Sequence, residues 1–189
     1  MDVRRSFDIL PNQLDNFPKA DALTAKIDGQ WTPVSTQQAQ EQTDRVSLGL
    51  VALGLKRGDK AAIISMNRPE WIMADFGIAQ IGGTSVPMYP NITVEDYKYI
   101  FTDAGVRAVF VSDEKLYHKV QEAIAGLDIP AANVFTFDRV AGARHFSELL
   151  EMGTKGNLAD LGALKAAVQP DDLFTLIYTS GTTGQPKGV

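Results

Sequence analysis

A β-strand, an α-helix and a second β-strand are predicted from residues 60–88, which read KAAIISMNRPEWIMADFGIAQIGGTSVPM. The short apolar run from Lys60 to Met66 is typical of a buried strand. A helix follows from Pro69, whose missing N–H is harmless at a first helical position, and Gly82-Gly83 ends it. Apolar residues lie on nearly every side of this helix, so we expect it to be buried between other elements. Thr84–Met88 is the second strand.

The same alternation continues on both sides of this segment. Before it, Ala22–Val34 is predicted as a hairpin that turns at Asp28-Gly29, and a helix capped by Ser35 and Gln38 ends at Gly54. After it, the predicted helices are Val94–Ala104, capped by Thr93 and Asp96, Glu114–Ala125, Phe146–Met152 and Leu161–Val168, and the predicted strands are Ala108–Val111, Asn133–Phe137 and Leu173–Tyr178. Five short apolar strands separated by helices predict an α/β fold with a mostly parallel, doubly wound sheet flanked by helices. Ligands are expected at the carboxyl ends of such strands.

Composition narrows the classes of protein. The chain has 189 residues, the size of about one domain. Its 18 basic and 23 acidic residues give a net charge of −5, which argues against nucleic acid as the main partner. The absence of cysteine excludes disulfides and thiolate catalysis. No stretch approaches the eighteen apolar residues of a spanning helix, and no signal peptide is evident, so we predict a cytoplasmic protein.

A loop rich in glycine and hydroxyl groups follows the last predicted strand. Residues 177–189 read IYTSGTTGQPKGV. Gly181 and Gly184 allow positive φ, so that successive backbone N–H groups can point into one concave nest. The hydroxyls of Thr179, Ser180, Thr182 and Thr183 add neutral donors, and Lys187 adds a positive charge. This combination predicts a site for a polyphosphate.

The loop differs from a Walker A loop. Pro186 precedes Lys187 and Gly188 follows it, so no Ser or Thr stands after the lysine to bind magnesium. A nucleotide hydrolase or kinase that transfers the γ-phosphoryl group is therefore disfavoured. The simplest alternative is a solvated turn that carries a surface lysine.

The string from Tyr178 to Val189 resembles the phosphate loop of the acyl-adenylate-forming, or AMP-binding, superfamily, which includes acyl-CoA synthetases, luciferases and the adenylation domains of peptide synthetases. Residues Asn67–Trp71 and Gly82–Tyr89 resemble the long-chain fatty acid–CoA ligase branch. The resemblance implies that residues 1–189 are the amino-terminal part of the family's large domain, truncated at the phosphate loop, with the small carboxy-terminal domain absent.

The resemblance also implies an activity and a role for each loop residue. A fatty acid, ATP and coenzyme A would give acyl-CoA, AMP and pyrophosphate through an acyl-adenylate. The β- and γ-phosphates would be held by Ser180, Gly181, Thr183 and Gly184 together with Thr179. Lys187 would be the catalytic group that neutralises them, and the Thr182 hydroxyl would approach Mg²⁺. The family's adenine, ribose and coenzyme A contacts and its late catalytic lysine come after residue 189, so we expect these residues alone to be inactive.

Two alternatives stay open at this point. The chain could belong to another adenylate-forming ligase, for a medium-chain or aryl acid, or it could be a non-catalytic phosphate-binding interaction module. The length of the acyl chain, a homodimer and peripheral association with the inner face of the membrane are all left open by the residues. His118 and His145 are interpreted as surface residues, and Asp171-Asp172 as an acidic turn.

Overall fold

The computed structural model describes residues 3–27, 29–179 and 184–189. Seven helices are described: α1 (Ile9–Asn16), α2 (Thr36–Ala52), α3 (Pro69–Gln80), α4 (Val94–Ala104), α5 (Glu114–Ile124), α6 (Phe146–Gly153) and α7 (Leu158–Ala167). The described strands are β1 (Leu23–Ile27), β2 (Gln30–Val34), β3 (Lys60–Ile64), β4 (Thr84–Met88), β5 (Val106–Val111), β6 (Val134–Thr136), β7 (Arg144–His145), β8 (Tyr178–Thr179) and β9 (Lys187–Gly188). Within these ranges, no helix is both long enough and apolar enough to cross a membrane.

A five-stranded sheet in the order β4-β3-β5-β6-β7 forms the centre of the molecule, and every neighbouring pair in it is parallel. The chain runs from β3 outward to β4, returns to the other side of β3 with β5, and then continues in one direction. This order places the reversal of the winding between β3 and β5. The predicted parallel α/β sheet is confirmed.

Helices cover both faces of the sheet, because successive side chains of a strand point to opposite faces. Ala61 and Ile63 of β3 are fully buried against a layer that contains α2, α3 and α6. Ala62 and Ile64 are buried against α4 and α5. The sheet is therefore doubly wound, as predicted.

Two helix starts predicted from the sequence are also confirmed. The Ser35 side chain accepts a hydrogen bond from the backbone N–H of Gln38, and the Gln38 side chain accepts one from the Ser35 N–H. Thr93 and Asp96 form the same reciprocal pair at the start of α4. Each pair satisfies two N–H groups that a helix leaves without partners. The β1–β2 hairpin is present, although Asp28 in its predicted turn lies outside the described residues.

The last strand is predicted wrongly. Its predicted range, Leu173–Tyr178, contributes only one bridge to the sheet, between Thr175 and Ser85. The fifth strand is instead β7, which consists of two polar residues. After Ser85, the next backbone N–H of β4 on the side of residues 173–178 would belong to residue 87. Residue 87 is a proline and has no N–H to donate. Pairing therefore stops after the single bridge.

Two further differences concern helices. The sequence pattern did not predict α1, whose only buried side chain is Leu10 and whose remaining residues are mostly polar. The structure also begins α7 at Leu158, three residues before its predicted start. The Asn157 side chain accepts a hydrogen bond from the Ala159 N–H and so caps α7 at this earlier position.

Glycines allow α2 to approach its neighbours closely. A Cβ atom added at Gly77 of α3 would lie 2.5 Å from Val46 Cγ1 of α2. One added at Gly153, the last residue of α6, would lie 2.0 Å from the carbonyl oxygen of Arg45 in α2. Because neither site has room for a methyl group, the packing of these three helices depends on glycine at both positions.

Candidate functional site

A cleft of about 770 Å³ opens at the carboxyl ends of β3 and β4. The segment after β3, the end of β4 with the loop that follows it, α4, and the β8 region form its walls. They contribute Ser65, Met66, Asn67 and Trp71, then Pro87, Met88, Tyr89, Pro90 and Ile92, then Asp96 and Ile100, and lastly Ile177, Tyr178, Thr179 and Pro186. Most of these side chains are apolar, so the cleft can hold an apolar group beside a few polar contacts.

The described residues on either side of the glycine- and hydroxyl-rich loop form a hairpin beside this cleft, which Thr179 and Pro186 line. β8 and β9 are antiparallel, with Tyr178 opposite Gly188 and Thr179 opposite Lys187. Ile177 and Val189 extend the pairing, since each donates its N–H to the other's carbonyl at 2.9 Å. The hairpin therefore holds the two ends of the loop next to each other.

The predicted phosphate-binding residues fall into two groups. Ser180, Gly181, Thr182 and Thr183 lie outside the described residues. Thr179, Gly184 and Lys187 are described, and all three are exposed. Gly184 has a φ of 94°, a left-handed conformation that favours glycine, as predicted.

Thr179 and Lys187 lie on one face of the hairpin, because residues directly opposite in an antiparallel pair share a face. The hydroxyl and the ammonium group are thus both placed beside the tip, and Thr179 also lines the cleft. This arrangement provides a neutral donor and a positive charge where the sequence predicts an anion.

The segment that leads into the hairpin is held against β4 by a short ladder. Ser85 donates its backbone N–H to the Phe174 carbonyl at 3.1 Å and accepts from the Leu176 N–H at 2.9 Å. The Thr84 hydroxyl donates to the Leu173 carbonyl at 3.1 Å. These bonds fix the register of residues 173–176 relative to the sheet.

Two arginines hold the end of α7, just before this segment. Arg5 donates to the carbonyl oxygens of Lys165 and Val168. Arg57 donates to the Ala167 carbonyl at 2.9 Å and pairs with the Asp172 carboxylate. Cations at a helix carboxyl terminus satisfy carbonyls that have no partner within the helix.

A side-chain pair fastens the base of the hairpin to α4. The Tyr178 hydroxyl lies 2.5 Å from the Asp103 carboxylate. Burial, together with the negative charge of Asp103, raises the pKa of the Tyr178 hydroxyl, which therefore keeps its proton and donates it in this bond. Sequence reasoning missed this pair because its partners are 75 residues apart.

We expect Tyr178→Phe to lower the free energy of unfolding by about 1 kcal/mol, because it removes one partly exposed hydrogen bond to a charged group. Asp103→Ala should have a similar effect, and the double variant should be no less stable than either single variant. Urea unfolding of the four proteins measures this coupling. Tyr117→Phe is the matched control, since that hydroxyl makes a 3.4 Å contact with the Gly142 carbonyl on another part of the surface. Additive effects would contradict the pairing.

Hydrogen bonds also hold the lips of the cleft. The Tyr97 hydroxyl donates to the Tyr89 carbonyl at 2.9 Å, and Lys119 donates to the Ile92 carbonyl, so the loop after β4 is tied to α4 and α5. On the other lip, Arg68 pairs with Glu70 and with Asp138, at 2.9 and 3.0 Å. Both lips are thereby fixed to the helices and loops behind them.

Arg68 explains why the cleft is displaced from the switch point of the sheet. It follows β3 and reaches Asp138 beyond β6, so it crosses the carboxyl end of β5, which lies between those strands. Its guanidinium also stacks over the Phe137 ring at 5.2 Å. The crevice between β3 and β5 is therefore spanned by protein, and the open space lies over β3 and β4.

Asp75 is a buried acid close to Ser85, the residue of β4 that bonds to Phe174 and Leu176. It lies on α3 with 5% of its surface exposed. Burial raises the pKa of Asp75 to about 6. Ser85 Oγ is itself buried and makes no hydrogen bond among the described residues. The charged form of Asp75 is thus disfavoured in the folded protein.

We expect Asp75→Asn to stabilise the protein at pH 7. The unfolded carboxyl has a pKa of 3.8 and the folded one of about 6, so the folded state binds more protons between these values. Stability is lost as the pH rises from about 4 to 6, by about 3 kcal/mol in total. Urea unfolding from pH 4 to 7 should show the difference between wild type and variant grow over this interval. A difference that is independent of pH would contradict the assignment.

Comparison with known proteins identifies the family of this chain. A sequence model of the family described as AMP-binding enzyme matches residues 10–189. The chain belongs to the AMP-binding enzyme family. The family resemblance stated from the loop and from residues 67–71 and 82–89 is thereby confirmed.

Its relatives include long-chain ligases. The long-chain-fatty-acid–CoA ligase FadD15 of Mycobacterium bovis is 35% identical over 162 residues, which cover 86% of this chain and 27% of that protein. The long-chain-fatty-acid–CoA ligase ACSBG1 of Rattus norvegicus is 31% identical over 180 residues, covering 93% of the chain and 25% of that protein. The chain thus spans about a quarter of the length of these relatives.

A solved structure supports the fold of this chain. The crystal structure of the anthranilate CoA ligase AuaEII in complex with anthranoyl-AMP matches it with a TM-score of 0.79 and covers 98% of the chain and 34% of that protein. At 21% identity the likeness concerns the fold alone.

Other polar residues named in the sequence analysis lie away from the cleft. His118 is exposed and lies 3.8 Å from Glu114 on the same helix. His145 is half-buried, and its Nδ1 accepts from the Ser147 N–H at the start of α6. Asp172 accepts from the Gln169 N–H, which confirms the predicted turn. In the described part of the chain, no group of three His, Asp or Glu side chains could hold a metal ion.

Proposed function

We propose that this chain is part of a long-chain fatty acid–CoA ligase, which joins a fatty acid to coenzyme A at the expense of ATP and releases AMP and pyrophosphate. The observation that carries the proposal is the family match from residue 10 through the phosphate-loop hairpin to residue 189. The two relatives described above, both named long-chain ligases, favour a fatty acid as the substrate.

The chemistry needs control of negative charge. A carboxylate oxygen attacks the α-phosphorus of ATP, pyrophosphate leaves, and the thiol of coenzyme A then displaces AMP from the acyl-adenylate. Two anions meet in the first step, and charge builds on the leaving pyrophosphate. Fixed donors at those oxygens lower the barrier most.

Each residue of the hairpin has a role in this proposal. Thr179, Ser180, Gly181, Thr183 and Gly184 would surround the β- and γ-phosphates, and Lys187 would neutralise them. A hydroxyl suits one coordination position of Mg²⁺, and Thr182 would supply it, with phosphate oxygens and water as further ligands. Bound Mg²⁺ would withdraw negative charge from the phosphate oxygens.

Exchange of labelled pyrophosphate into ATP tests the proposal directly, because it requires reversible formation of an acyl-adenylate. It should be measured on the product of the longest reading frame that contains this sequence, with acetate, octanoate, palmitate and benzoate, and on the 189-residue chain. We expect exchange by the longer product that rises with alkyl chain length. Exchange with benzoate alone would favour the aryl-acid alternative, and no exchange with any acid would contradict the ligase.

A cytoplasmic location stays a prediction, while homodimer formation and contact with the inner face of the membrane are questions for experiment. Size-exclusion chromatography with light scattering and sedimentation with anionic vesicles test the last two on the same proteins. A dimer or a vesicle-bound fraction that forms without any exchange activity would favour the non-catalytic interaction module.

A further inference from the structure

In the described chain, the segment that leads into the hairpin pairs with β4 at one point only, beside the cleft. The two are joined at the bridge between Ser85 and Thr175. Two residues further along, Pro87 and Met88 line one wall of the cleft, while Ile177, Tyr178 and Thr179 line the other. Backbone pairing between the two stretches therefore ends at the ladder, next to the cleft.

The hydrogen-bond pattern of the ladder identifies which bond is missing. Ser85 donates to Phe174 and accepts from Leu176. In a parallel pair this pattern repeats every two residues. The next two bonds would run from the N–H of residue 87 to the Leu176 carbonyl, and from the Tyr178 N–H to the carbonyl of residue 87. Pro87 has no N–H, so the first of these bonds cannot form.

Pro87 does not disturb the pairing of β4 with β3. Backbone groups of neighbouring residues in a strand point to opposite edges, and those of Ser85 point toward residues 174–176. Those of Pro87 therefore point to the same edge, away from β3. β4 stays paired with β3 along its whole length, including Ile63 opposite Pro87. Proline is tolerated at such outward-facing positions.

The hairpin also leaves its near edge open. Ile177 uses both of its backbone groups to bond to Val189. The backbone groups of Tyr178, the next residue, point by alternation to the opposite edge, toward β4 and the cleft. If residue 87 could donate, Tyr178 would be in register to continue the sheet.

We propose that Pro87 acts as a wedge: it stops the sheet from extending along residues 176–178, and so keeps the cleft open and positions the phosphate-loop hairpin at its mouth. Pro87 is thus a positioning residue for the hairpin. The consequence for catalysis rests on the proposed function, whereas the consequence for the backbone does not.

The test is hydrogen–deuterium exchange of a peptide covering residues 173–179 in wild type and in Pro87→Ala. The new N–H should bond to the Leu176 carbonyl and draw the Tyr178 N–H into the ladder, which slows exchange of the Tyr178 amide on the order of tenfold. Pro90→Ala is the matched control, because Pro90 lines the same cleft but lies beyond the end of β4. It should leave exchange in this peptide unchanged.

A backbone ester at position 87 distinguishes the effect of the missing N–H donor from the effect of the changed side chain. Lactic acid incorporated at position 87 has the methyl group of alanine but no N–H, so this protein should exchange like wild type. Pro87→Val is a second variant with high strand propensity, to be used if Pro87→Ala does not fold. Equal exchange in wild type, Pro87→Ala and Pro87→Val would overturn the wedge, as would slow exchange in the ester.

Enzymatic measurements form a separate arm. In the product of the longest reading frame, Pro87→Ala should lower kcat/KM for ATP in the exchange reaction on the order of tenfold. This is the change expected if the free energy of one hydrogen bond favours a misplaced hairpin. Slower amide exchange together with inactivity of the wild type toward every acid would refute the ligase and leave the wedge standing. Slower amide exchange with unchanged kcat/KM would overturn the positioning role.

Discussion

Lys187→Ala is expected to slow adenylate formation by about 10²–10³-fold in the longest reading frame that contains this sequence. Removal of one charged or hydrogen-bonding group that stabilises developing negative charge has effects of this size. Lys187 lies on the same face of the hairpin as Thr179, which lines the cleft. In the proposed function its ammonium group would neutralise a polyphosphate held by the loop.

Single-turnover formation of the adenylate measures this effect without interference from product release. Lys187→Arg keeps the charge and should retain more of the rate than Lys187→Ala does. Lys26→Ala is the matched control, because Lys26 is also an exposed lysine in an antiparallel hairpin, but in β1. If Lys187→Ala and Lys26→Ala both stayed within about twofold of wild type, the proposed role of Lys187 would be wrong.

Gly153→Ala is expected to lower the free energy of unfolding by about 3 kcal/mol or more. The added Cβ would lie 2.0 Å from the carbonyl oxygen of Arg45 and 2.7 Å from the carbonyl carbon of that residue. Both atoms belong to the backbone of α2, so no rotation of a side chain relieves the overlap. One helix must move away from the other, and overpacking of this kind is costly.

Gly162→Ala, which is also a glycine-to-alanine substitution within a helix, is expected to have the opposite effect on stability. Gly162 is exposed in the middle of α7, and a Cβ there would meet no atom within 4 Å. Alanine is the better helix former by about 1 kcal/mol, so this variant should be more stable than wild type. Urea unfolding of the two variants and wild type measures both effects. Equal stability of the two variants would contradict the close packing of α6 on α2.

The elements that the sequence predicted well are those whose causes are local. Thr93 and Asp96 are three residues apart and satisfy one another's backbone N–H groups at the start of α4. The predicted ranges Val94–Ala104 and Thr84–Met88 agree with the observed α4 and β4. Hydrophobic period and helix caps are properties of a short stretch, so they can be recognised without knowledge of the fold.

The errors have causes that are distant in sequence. Residues 173–178 have the composition of a strand, but their pairing ends because residue 87 of the neighbouring strand is proline. The two-residue strand β7 is polar and is recruited by β6, to which His145 and Thr136 are matched in register. Neither fact is visible within the segment itself, because strand pairing depends on the partner.

The phosphate-binding role of the loop from Thr179 to Lys187 stays a prediction. The loop could be singled out from the sequence because glycines, hydroxyls and a lysine in this order are typical of anion binding. The cleft beside it could not be predicted, since its walls come from four separate parts of the chain. The carboxyl ends of β3 and β4 were the signal available, because ligands of parallel sheets bind there.

The bonds from Arg5 to the end of α7 have a consequence for the order of events on the ribosome. The elements of the β3–α3–β4 unit contact one another, so they can assemble as they emerge from the ribosome. Arg5 is made first, yet the Lys165 and Val168 carbonyls that it binds are made 160 and 163 residues later. These two bonds therefore cannot form until the end of α7 has been made, so the anchoring of the approach to the hairpin follows the assembly of the β3–α3–β4 unit.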